Sequence, residues 1–119
     1  MKYLLMIYGN ETTWDALAGA GYDEVMGQHR ALLDELTSSG ELIGTEGLTT
    51  AGARTVRVSA GDAIVTDGPF SEAKEMLAGY YLVDCANIER ATQIAARIPE
   101  ARFSPVEVRR IMDDPGEWL

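Results

Sequence analysis

At 119 residues the chain is sized for one domain, spanning 1–119, and its net charge is −9. The ten basic residues are scattered, which argues against direct nucleic-acid binding, since phosphate contacts need a concentrated positive surface. No apolar run approaches the ~20 residues that span a bilayer. The apolar start ends at Tyr8-Gly9, too short and too β-like for a secretion signal. The expected setting is therefore cytoplasmic, with no membrane association.

Lys2 to Tyr8 is a short apolar run closed by Gly9-Asn10, as in a buried strand. Residues 9–21 hold several glycines and Thr12-Thr13, and are expected to form a loop carrying Trp14. A helix is predicted from Asp23, with Asp23 and Glu24 favourably placed in its first turn. Along it Tyr22, Val25, Met26, His29, Leu32, Leu33 and Leu36 recur every three or four residues, and Ser39-Gly40 ends it. Leu42 to Glu46 is a second strand, followed by a loop over 47–53. Thr55 to Ser59 and Asp62 to Thr66 flank Ala60-Gly61 as a hairpin. Residues 71–77 are predicted to be a short helix or ordered loop. Tyr80 to Cys85 is a further apolar strand. Ile88, Ala91, Thr92, Ala95 and Ile98 mark a second amphipathic helix, capped by Asn87 and closed before Pro99. Ser104 to Ile111 is the last strand, and the tail from Asp113 is irregular.

The order β-α-β-hairpin-β-α-β predicts an α+β, ferredoxin-like fold: an antiparallel sheet, two helices on one face and an inserted β-hairpin. Both alternating sets of residues 3–8 are apolar, and 80–85 behave the same way apart from Asp84. Two helices cover one sheet face. The other is expected to pack on a second copy of the chain, or else under the inserted segments.

Asp67-Gly68-Pro69-Phe70 follows the strand Ala63 to Thr66. Proline fixes its own φ and pushes Gly68 toward an extended conformation, while Phe70 is suited to anchor the turn in the core. Around it stand Met1-Lys2-Tyr3-Leu4-Leu5-Met6-Ile7-Tyr8-Gly9, Gly44-Thr45-Glu46-Gly47-Leu48, Glu72-Ala73-Lys74-Glu75 and Gly79-Tyr80-Tyr81-Leu82-Val83-Asp84. From about residue 1 to residue 112 this series resembles the YCII-related proteins, in particular the subgroup named for its DGPF motif. The resemblance implies a dimeric α/β barrel, formed from the sheets of two chains. It also implies a small pocket holding a His–Asp pair.

His29 is the single histidine, in register with the apolar face of its helix. It is either a core histidine with one satisfied hydrogen bond or a general acid–base group. The resemblance favours the second role and gives it a carboxylate partner. Asp67, from the motif, suits that partner better than Asp34, which falls on the polar side of the same helix. The catalytic candidates are thus His29 and Asp67. Glu46, Lys74, Glu75, Tyr81 and Arg109 are candidate substrate-binding residues, joined by Glu72 and Tyr80 as weaker ones. Each also has a plain reading: a solvated charged turn for Glu72, Lys74 and Glu75, core or interface packing for the tyrosines, and an ion pair with Glu107 for Arg109. One histidine and one cysteine exclude the common zinc patterns, so no metal is expected. No P-loop, G-x-G-x-x-G or serine elbow occurs, so no nucleotide or flavin cofactor is expected either. Cys85, in an apolar run, is expected to be a small buried residue.

Acid–base groups without metal or nucleotide motifs point to a cofactor-independent enzyme moving protons on a small organic molecule, as an isomerase or lyase does. The resemblance implies the same class, since related dimeric α/β-barrel proteins include lactone isomerases and dehalogenating lyases. The alternative is a non-catalytic small-molecule-binding or regulatory module. For that reading the resemblance supplies a link to extracytoplasmic-function sigma factors, reached through protein contact rather than DNA contact.

Overall fold

The computed structural model describes residues 1–69 and 75–117. The expected core anchor Phe70 and the candidates Glu72 and Lys74 lie outside the described residues.

The main sheet contains β1 (Lys2–Gly9), β2 (Leu42–Gly47), β5 (Met76–Asp84) and β6 (Val106–Arg110), in the antiparallel order β2-β5-β1-β6. The most apolar strands, β1 and β5, are central, from Lys2 opposite Asp84 to Gly9 opposite Met76. Both flanking strands are reached through helical connections. This is a mixed α+β architecture consistent with a ferredoxin-like fold.

One sheet face carries Tyr3, Leu5, Ile7, Tyr81 and Val83. Against it lie Leu32 and Leu36 of α2 (Tyr22–Ser38), and Ala91, Ile94 and Ala95 of α3 (Ile88–Ala96). The helical spacing of these residues turns one stripe of each helix onto the strands. Asn87 caps α3 by accepting from the Arg90 backbone N–H. Cys85 belongs to this core, and burial pushes its thiol pKa up, as suits a small apolar residue.

The interval 9–21, expected to be a loop, contains a helix, α1 (Glu11–Ala20). The Asn10 side chain accepts from the Thr13 backbone N–H at 3.0 Å, and Thr13 Oγ1 accepts from the Asn10 N–H at 3.2 Å. This reciprocal cap starts a helix that the glycines and threonines obscure in the sequence. The described helices are therefore three rather than two. β5 also begins earlier than expected, at Met76. Gly79 looks like a strand breaker, yet an added Cβ there would lie 2.8 Å from the Glu46 carbonyl oxygen. Its missing side chain is what lets β2 close on β5.

β3 (Arg54–Ser59) and β4 (Asp62–Asp67) form the predicted hairpin, as a separate two-stranded sheet. Ala60 and Gly61 both have positive φ, 51° and 83°, as a two-residue hairpin turn of the primed type requires. Pairing Val56 with Val65 and Val58 with Ala63 gives the hairpin one apolar face, which is exposed. Its base is tied by Gly68 N–H donating to the Ala53 carbonyl at 2.7 Å and by the Thr55 hydroxyl donating to the Gly68 carbonyl at 2.9 Å. Gly68 takes a φ of 98°, a conformation that favours glycine, rather than the extended one expected before proline.

Where α2 ends, Glu41 makes a two-pronged bond to Arg90 of α3, at 2.8 and 2.9 Å, and accepts from Ser39. The guanidinium lowers the Glu41 carboxyl below its ordinary value of 4.5, against burial, with Ser39 adding to the effect. A lowered folded value means the stabilisation is complete above the unfolded value. It is lost as pH falls from about 4.5 down through the folded value. Glu41→Gln should lower stability by about 1–3 kcal/mol at neutral pH. The stability gap between the two proteins, read by denaturant titration, should narrow steadily as pH falls below about 4.5. A constant gap down to pH 3 would refute the ion-pair account.

Candidate functional site

A cavity of about 650 Å³ opens beside the helix-covered face of the sheet. Its walls come from β1 (Ile7), α1 (Trp14), α2 (Met26, His29, Leu33), the β2 end and following loop (Thr45 to Leu48, Thr50), β5 (Ala78, Gly79, Tyr81) and Glu100. Gly9 shapes one wall. A Cβ there would lie 2.5 Å from the Trp14 ring, so the indole can rest against β1 only over a glycine.

His29 lines this cavity. Its Nδ1 is 2.5 Å from the Tyr81 hydroxyl, and its Nε2 is 2.7 Å from Glu100 Oε1. The His29 and Tyr81 rings are near-parallel, 27° apart with centroids at 5.9 Å. Register explains the first contact. Tyr81 lies opposite Leu5 and Thr45 on the face that α2 covers, and His29 follows the buried stripe of α2.

Glu100 is held by a 3₁₀ turn, Pro99–Arg102, that follows α3. Ile98 and Pro99 anchor the turn in the interior. Arg102 Nη2 donates to the Gln28 side chain at 3.2 Å, so the turn grips α2 at adjacent residues, 28 and 29. Among the described residues, Glu100 Oε2 is buried without a hydrogen-bond partner. Burial, with the nearby Glu100 charge, raises the pKa of the Tyr81 phenol well above its ordinary range, so the hydroxyl keeps its proton. A carboxylate without its proton offers only acceptors, so against a Glu100 carboxylate the donor is Nε2–H.

Of the candidates named from sequence, His29, Tyr81 and Glu46 are brought to this cavity, Glu46 at its exposed rim. Asp67 is not. It lies at the end of the hairpin strand β4, its side chain 96% exposed and 3.9 Å from Arg54. The carboxylate facing His29 is Glu100. Glu75 precedes β5 and does not line the cavity. Arg109 pairs with Leu4, whose side chain points to the opposite sheet face from Tyr3 and Leu5. There it lies 3.9 Å from Glu107, as the ion-pair reading has it, and lines a second hollow of about 370 Å³ with Leu4, Met6 and Met112. Tyr80 shares that face, opposite Met6.

Glu100 and Trp14 were not singled out in the sequence. Glu100 lies 71 residues from His29, in a four-residue turn without periodicity. Its one local signal is Pro99, a residue suited to open a helical turn.

The arrangement can exchange protons. It holds a histidine with both ring nitrogens engaged, a carboxylate to balance an imidazolium, and a protonated phenol, all beside an apolar cavity.

The model of the YCII-related domain matches residues 1–115. An uncharacterized protein from Rhizobium meliloti is 36% identical over 121 residues, with 98% of each chain covered. The chain belongs to the YCII-related family.

Proposed function

We propose that the chain is a cofactor-independent enzyme of the DGPF-motif subgroup, acting on a small organic molecule by proton transfer at His29, in the manner of an isomerase or lyase. The observation that carries this is the pair of short bonds fixing both nitrogens of His29 beside a cavity large enough for such a ligand. Glu100 takes the orienting role that the sequence motif suggests for Asp67. Trp14, Ile7 and Leu33 supply apolar wall, and Glu46 meets the ligand at the rim.

The reading includes a single cytoplasmic domain that pairs through the second sheet face as a dimeric α/β barrel. Support comes from the apolar residues on that face, Leu4, Met6, Tyr80 and Leu82. Light scattering at micromolar concentration should give about twice the 12.9 kDa chain mass. A monomer at that concentration would sink the barrel pairing. For the cavity, the single imidazole is the reporter: small neutral organic ligands should shift its NMR signals. Ligands that bind yet leave His29 undisturbed would count against the reading.

A regulatory module is the second reading, favoured by the exposed apolar hairpin face, where Val56 and Val58 are 60% and 71% accessible. Such a face suits contact with a protein partner such as a sigma factor. A module of that kind would bind ligand without turnover.

A further inference from the structure

We propose that Tyr81 is the catalytic residue that exchanges the proton with the ligand, with His29 behind it as proton store and Glu100 balancing the charge. This rests on the acid–base reading above and names its working atom. It also names the ligand class: a small organic molecule with a hydroxyl or carbonyl oxygen seated against the Tyr81 hydroxyl.

The two ring nitrogens of His29 have separate partners. Nε2–H is committed to Glu100, which lies 2.7 Å away. Nδ1 is the site that can gain a proton, and the Tyr81 oxygen covers it at 2.5 Å. A proton therefore reaches Nδ1 through that oxygen. Tyr81 lines the cavity although its side chain is almost wholly buried, so its position is fixed by packing. The raised phenol pKa adds support, since it disfavours a free tyrosinate and so favours passing protons in concert.

The ligand O–H bond breaks, its proton joins the Tyr81 oxygen, and its electron pair stays on the ligand oxygen. In the same event the original Tyr81 O–H bond breaks and an N–H bond forms at Nδ1. The products are a ligand oxyanion and an imidazolium paired with the Glu100 carboxylate. The reverse step protonates an enolate or alkoxide oxygen. No oxidant, reductant or metal is consumed.

The probe is 4-nitrophenol, whose ionised form absorbs at longer wavelength than its neutral form. Binding is read separately, by quenching of tryptophan fluorescence. The wild-type protein should ionise the bound probe. At equal occupancy, set from the quench, Tyr81→Phe and His29→Gln should each lower the ionised fraction of the bound probe about tenfold or more, equal to one pKa unit. If Tyr81→Phe ionises the probe as the wild type does while His29→Gln does not, the relay is wrong and His29 acts directly. If His29→Gln also behaves as wild type, or if the wild type neither binds nor ionises the probe, the acid–base reading falls with it. Should Tyr81→Phe fail to fold, fluorotyrosine at position 81 keeps the bond and makes the phenol more acidic. The pH at which the bound probe ionises should then move, and a fixed pH would overturn the relay.

Discussion

His29→Gln should reduce turnover by ~10²–10⁴, the loss typical of a missing acid–base group. The imidazole bridges Tyr81 and Glu100, and glutamine keeps polarity and approximate volume while removing the group that accepts and returns the proton. The fold should survive, because the buried stripe of α2 is carried by Val25, Leu32 and Leu36. Ligand affinity should change little. A variant with unchanged turnover would make His29 a packing residue and move the balance to the binding module. Glu100→Gln gives a second view of the same site. It keeps a hydrogen-bond acceptor at Nε2 but removes the charge opposite an imidazolium, so turnover should fall there as well.

The fold was legible in the sequence where hydrophobic period and burial agree. Tyr3, Leu5 and Ile7 alternate, and Leu32 and Leu36 recur by a helical turn, because these residues face one core. The hairpin was legible from Ala60-Gly61, since its turn needs two residues at positive φ. α1 was not. Asn10 and Thr13 cap each other, but the same residues and the nearby glycines are ordinary loop formers, and only the reciprocal bonds decide between the two.

The site was half legible. His29 stood out as a lone titratable group on an apolar helical stripe, and Tyr81 as an aromatic on a central strand. Their meeting was not legible, because it depends on the register of β5 against β1 and β2 and on how α2 lies over that face. Glu100 had no such trace, because a 3₁₀ turn has no period to reveal which side chain points inward. Asp67 attracted attention because a rigid strand end is a frequent place for function. Its strand belongs to a separate two-stranded sheet, however, and alternation along a strand does not say which sheet it joins.

That division between sheet and hairpin also determines where truncation should hurt. Ile94→Ala should destabilise by about 2–5 kcal/mol, the range for deleting a fully buried aliphatic side chain. Ile94 is 0% exposed and belongs to the cluster joining α3 to β1 and β5, so its loss leaves a cavity in the main core. Val65→Ala removes a similar kind of group from the hairpin, where the side chain is 54% exposed. In the isolated chain it should alter stability by no more than about 0.5 kcal/mol, as surface substitutions do. Denaturant unfolding of both variants, run at two protein concentrations, separates the possibilities. Equal losses would mean that Ile94 is not the core residue its burial implies. A Val65→Ala loss that grows with protein concentration would place the apolar hairpin face in contact with a second copy. One that stays small and constant would leave that face free for a partner of another kind.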